Sequence, residues 1–176
     1  MEFAQHTEQW NKGNQEGWDN PSIFNRAFRI EKHVGCDPWP VEAGPAYHNV
    51  VTTYYEGVRT QTIRLESKLP TIAQQLKGSG RKVEVHWSVW IAPRFDCGSE
   101  FTATLSWNNG SEKEIFELAH VELQEGGPWR KLEKVVVLEG CVDGVFEYEE
   151  KGKDTRFLAG YYGVKILNPS IIVKFK

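Results

Sequence analysis

Apolar and polar residues alternate with period two along most of this chain, the rhythm of half-buried strands. Val83 to Ile91 places its odd-numbered positions apolar, Phe101 to Trp107 does the same, and Thr60 to Leu65 alternates cleanly. Shorter β-rich stretches lie at Phe28 to Glu31 and Asn49 to Tyr55. Others run from Ile115 to Leu123, Leu132 to Leu138, Gly144 to Tyr148 and Ile166 to Phe175. Gly, Pro and Asn separate them, and two prolines make Gly35 to Pro40 a loop because proline cannot donate to a ladder. One helical turn or two is predicted from Leu69 to Leu76, where Ile72 and Leu76 share a face, Pro70 suits a first turn and Gly78 follows. Eight to ten short strands without repeat or linker predict an all-β, antiparallel sandwich.

Residues 1–25 lack sustained periodicity and read as a polar lead laid over or beside a domain at 26–176. The lead carries Trp10 and Trp18 among polar neighbours, so self-association through it or through a sheet edge is one expected behaviour. Asn109-Gly110-Ser111 matches a glycosylation pattern but follows an alternating strand, and it reads as the Asn-Gly of a hairpin turn.

Composition narrows the classes. At 176 residues the chain can bury a self-sufficient core, and seven Trp with a single Met make that core aromatic. A net charge of −3 with both signs mixed provides no field for nucleic acid or an anionic membrane. No apolar run approaches the roughly 18 residues of a membrane span, and the first residues form no secretory signal. Cys36, Cys97 and Cys141 are widely spaced, which points to reduced thiols in a cytoplasmic protein and to no disulfide framework.

Chemistry-bearing residues are scattered. His6, His33, His48, His86 and His120 show no metal-binding spacing, so neither metal nor cofactor is expected. His86 falls on the polar face of its strand, and Cys97 reads as a small buried hydrophobe at a strand end. Glu147, Glu149 and Glu150 with Lys151 and Lys153 read as a solvated loop edge. Gly78-Ser79-Gly80 lacks the Gly-Lys of a phosphate cradle. No catalytic residues are therefore expected, and the chain does not read as an enzyme. Arg94 and Asp96 lie two apart at the end of an apolar strand and read as a structural ion pair. Trp39, Trp90 and Trp129 read as core, with sugar stacking as the competing role.

Several segments in order resemble one family, the F-box-associated domain. Trp39-Pro40-Val41-Glu42 looks like its W-x-V-E start. Val51-Thr52-Thr53-Tyr54 and Gln61-Thr62-Ile63-Arg64-Leu65 are similar to its next two strands. Trp90 to Gly98 matches W-x-x-x-R-x-D-C-G, Gly126-Gly127-Pro128-Trp129 a G-G-x-W turn, and Gly152-Lys153-Asp154 with Gly160 and Gly163 its G-x-D…G-x-x-G close. The resemblance spans roughly residues 28–176 and looks closest to the nonspecific cytotoxic cell receptor protein branch; a domain excised from a longer F-box protein is the other expectation.

The resemblance implies a jelly-roll-like, galactose-binding-type sandwich whose end loops recognise substrates for a ubiquitin ligase. Trp39, Glu42, Trp90, Arg94, Asp96, Gly98, Trp129, Gly160 and Gly163 are then framework positions. Glycan-reading members use an aromatic before the second motif and a Tyr-Trp-Lys trio before the closing glycines. This chain has Val50 at the first position and Phe157-Leu158-Ala159 at the trio. Leu158 offers no flat ring and Ala159 no hydrogen bond, so a protein partner is the first expectation. An N-glycan on a misfolded glycoprotein, held by Phe157 with Lys153 or Arg156, is the alternative. The lead has no helical pattern like an F-box, so docking to a Skp-type adaptor is not expected from this chain.

Overall fold

The computed structural model describes residues 2–5, 28–31, 34–43, 49–54, 56–64, 82–141 and 143–175. Ten strands are assigned among them: β1 (Glu2–Gln5), β2 (Phe28–Glu31), β3 (Asn49–Thr52), β4 (Gly57–Arg64) and β5 (Val83–Ala92), then β6 (Ser99–Asn109), β7 (Glu112–Leu123), β8 (Arg130–Leu138), β9 (Val145–Asp154) and β10 (Lys165–Phe175). They form two antiparallel sheets, the sandwich that the alternation predicts. One sheet runs β2-β3-β10-β5-β8, with β1 paired to the far half of β10; the other runs β4-β9-β6-β7. Among the described residues no helix is long and apolar enough to cross a membrane.

Each period-two strand turns one face inward. Val85, Trp87, Val89 and Ile91 of β5 meet Phe101, Ala103 and Leu105 of β6 and Phe146 and Tyr148 of β9 in the main core. Even-numbered residues of β5 point the other way. There Trp90 and Ala92 join Leu167, Trp129 and Cys36 in a second cluster, under the loop at residues 34–43. That loop is fastened by polar bonds as well. Trp129 Nε1 donates to Asp37 O at 2.8 Å, Trp39 Nε1 donates to Asn49 Oδ1 at 3.4 Å, and the Asn168 amide donates to Ala43 O. The three tryptophans are packing elements, and Glu42 sits exposed on the short 3-10 turn Val41–Ala43.

Some expectations need correction, and others lie outside the described residues. Within the lead, Glu2–Gln5 adds a strand to the six-stranded sheet. The hairpin after β6 turns on Gly110 and Ser111, with Asn109 still paired to Glu112; Gly110 has φ +65°, the glycine-first pattern of a type II′ turn. The acidic run is no loop edge but the body of β9. Glu147, Glu149, Lys151 and Lys153 face outward, while Glu150 is fully buried against Arg59 of β4. The helix expected at 69–76, and Trp10 and Trp18, lie outside the described residues.

Candidate functional site

Topology gathers the loops that follow β3, β5, β7 and β9 at one end of the sandwich. Ser99 opposes both Leu123 and Asp154, and Lys165 opposes Ala92, so these strand ends are level. Backbone bonds stitch the loops together: Gly126 N–H to Arg94 O at 2.8 Å, Asp154 N–H to Thr53 O at 2.9 Å, Thr155 N–H to Gly98 O at 3.1 Å and Gly163 N–H to Thr52 O at 2.9 Å. Two glycines permit this closeness. A Cβ at Gly98 would lie 2.8 Å from Leu123 O, and one at Gly163 would lie 2.8 Å from the Thr52 carbonyl.

Arg94 ties three loops. Its guanidinium donates to Asp96 Oδ1 at 2.9 Å and Oδ2 at 3.4 Å, lies 4.6 Å above the Tyr162 ring, and fills the space beside Gly35. Arg29 stacks likewise on Tyr161 at 4.4 Å and binds Glu31 at 2.8 Å. Arg156 donates to Asp96 O at 3.2 Å and pairs with Glu125. Each of these arginines thus faces a carboxylate.

The last loop is held by a buried acid. Asp154 Oδ1 accepts the backbone N–H of Arg156 at 2.9 Å and of Leu158 at 3.3 Å. Between those two anchors Phe157 adopts φ +55°, a left-handed backbone that costs a bulky residue energy, and the residue is 73 % exposed. Phe95, on the neighbouring loop, is 55 % exposed. The Arg156–Asp96 bond spans the two loops that carry Phe157 and Phe95, and the charges beside it pair off, Arg94 with Asp96 and Arg156 with Glu125. Phe95 was not singled out by sequence, although its place after Pro93, which ends β5, already frees it from the inward-outward alternation.

Of the expected contact residues the structure brings together Arg156, Phe157, Leu158 and Ala159, the last exposed and Leu158 half-buried. Val50 does not belong with them: it pairs with Ile166 inside the main core. Lys153 does not either. It points from the outer face of β9 to Glu100 at 3.2 Å, beside a shallow hollow lined by His120 and Thr102. Gly160, at φ +119°, supports the loop.

Asp96 needs a smaller role than a buried pair would have. It is 57 % exposed, so its bond to Arg94 is a surface interaction worth about 0–1 kcal/mol. Asp96→Ala is therefore expected to cost less than about 1 kcal/mol in urea unfolding. The Arg94 guanidinium holds the Asp96 carboxyl below the usual carboxylate range. This contribution is present above that range and is lost as the pH falls through the lowered value.

The thiols offer no nucleophile. Burial raises Cys97 and pushes Cys36 up to about 11 and Cys141 to about 12, and thiols protonated at neutral pH attack poorly. No group of three or more metal-ligating side chains occurs among the described residues.

No family model matches the chain. Curated relatives do: F-box only protein 6 of Rattus norvegicus is 26 % identical over 168 residues, covering 86 % of this chain and 57 % of that protein. F-box only protein 27 of Mus musculus is 26 % identical over 151 residues, covering 80 % and 53 %. The chain thus spans little more than half the length of the curated relatives it matches. The names of these relatives agree with the resemblance carried by the ordered motifs. Among solved structures, a xylan-binding domain from Paenibacillus barcinonensis aligns with TM-score 0.52 and 13 % identity over 98 % of this chain and 99 % of that one. The C-terminal family 22 carbohydrate binding module of a Clostridium thermocellum protein aligns with TM-score 0.51 and 11 % identity, covering 92 % and 87 %. At that identity they establish the jelly-roll-like sandwich fold alone.

Proposed function

We propose that this chain is a non-catalytic recognition module that grips a protein partner with the loop end carrying Phe95 and Phe157. The observation that carries the reading is Phe157: a fully buried carboxylate and a left-handed backbone hold a large ring out in water. Such an arrangement stabilises nothing in the isolated domain. It does match the aromatic anchors, accompanied by arginine, that dominate protein interfaces. Self-neutralised charge around the two rings favours an uncharged, apolar contact over an anionic ligand. The likeness to F-box only proteins supports a role like that of their substrate-recognising half.

A photo-crosslinking phenylalanine analogue at position 157 tests this in cytosol. The expected result is one discrete protein adduct that persists after enzymatic removal of N-glycans, and no glycan-array signal above background. An adduct lost on deglycosylation, or high-mannose binding abolished by Phe157→Ala, would transfer the site to the glycoprotein reading.

A further inference from the structure

Strand β8 is an edge. Among the described residues it pairs with β5 alone, and its outward-facing Val135 and Val137 are about half exposed, beside Ile172 of β10. Natural edges are usually blunted by proline, by a bulge or by a lysine held across them. β8 has neither proline nor bulge. Its central lysine, Lys134, is drawn inward: Nζ donates to Glu117 O at 3.2 Å and lies 5.0 Å from the Phe116 ring. Among the described residues the valines are thus left as an unguarded β-branched strip.

We propose that β8 pairs antiparallel with β8 of a second copy of this chain, about a two-fold axis at Val135. Sequence fixes both the occupant and the register. A two-fold axis normal to the sheet keeps the outer face continuous, so odd-numbered residues oppose odd-numbered ones. Centring at Val135 places Lys131 opposite the partner's Glu139, Leu132 opposite Leu138 and Val135 opposite itself. Centring one residue earlier sets Lys134 against its own copy, and one residue later sets Glu133 against Glu139. Opposed like charges are unfavourable, which disfavours both neighbouring registers. Lys131 and Glu139 are presently bonded within the chain to Glu133 at 2.6 Å and Lys82 at 3.2 Å. Both are solvent-exposed pairs, so exchanging them for the intermolecular pair costs little.

The test combines sedimentation with single cysteines, feasible because all three native thiols are buried. The chain is expected to sediment as a reversible dimer at tens of micromolar. Val135→Cys, opposite its own copy, is expected to oxidise to a disulfide dimer. Val137→Cys, offset by four residues from its symmetry mate, lies beyond disulfide reach and is expected not to. Lys131→Glu should weaken the dimer at least tenfold, and Glu139→Lys added to it should restore it. A monomer at all concentrations, equal cross-linking at both positions, or failure of the charge-swapped double variant to recover would overturn the proposal; a thermal melt of each variant confirms that folding is retained.

Discussion

Glu150→Ala is expected to lose about 3–5 kcal/mol of unfolding free energy, a large part of the roughly 5–15 kcal/mol available to a domain of this size. Glu150 lies between the sheets, fully buried, paired with the Arg59 guanidinium and accepting the Tyr148 hydroxyl at 3.0 Å. Burial pushes the Glu150 carboxyl up, with Arg59 opposing. Alanine would take the Glu150 carboxylate away from an arginine that is only 2 % exposed. The loss comes from stranding a charge, so removing both partners should cost far less. Arg59→Met with Glu150→Leu is expected to regain most of the stability. Urea unfolding of the parent and the two variants measures this. If Glu150→Ala unfolds at the parental midpoint, or the double variant falls further, the pair is not the interior tie described.

That pair also shows where sequence reading reached and where it stopped. Strands with a clean two-residue rhythm, such as Val83–Ala92 and Ser99–Asn109, were legible because alternation alone encodes a half-buried sheet. β9 is legible only as far as Tyr148, because six charges among its last eight residues hide the rhythm. Glycine at 152 and carboxylates at 150 and 154 occupy the inward positions that apolar residues usually fill. Only a partner distant in sequence, Arg59, makes Glu150 intelligible inside. The same limit governs the site. Motif order pointed to the loop before Gly160 and so to Phe157, but register decides which neighbours share its surface. One strand pairing removed Val50 into the core, and the outward parity of β9 separated Lys153 from Arg156. Phe95 joined the site only once Arg156 was seen to bridge the two loops.

Phe157→Asn is expected to separate stability from binding. Asparagine is among the residues most at ease in the left-handed region, so the substitution should relieve the strain at φ +55°. The lost ring contributes almost nothing to the core, being 73 % exposed. Unfolding free energy should hold or rise by up to about 1 kcal/mol. Affinity should move the other way. A central aromatic anchor is worth about 2 kcal/mol or more when truncated, roughly thirtyfold in Kd. Core residues behave oppositely, losing stability first and binding only as a consequence, so opposed signs mark a residue placed for recognition.

The most direct measurement is therefore paired: calorimetric titration of the parent chain and Phe157→Asn against the purified partner captured at position 157, with urea unfolding of each. The account predicts a Kd raised at least thirtyfold in a variant that is no less stable than the parent. An unchanged Kd, or weaker binding matched by an equal loss of stability, would contradict it.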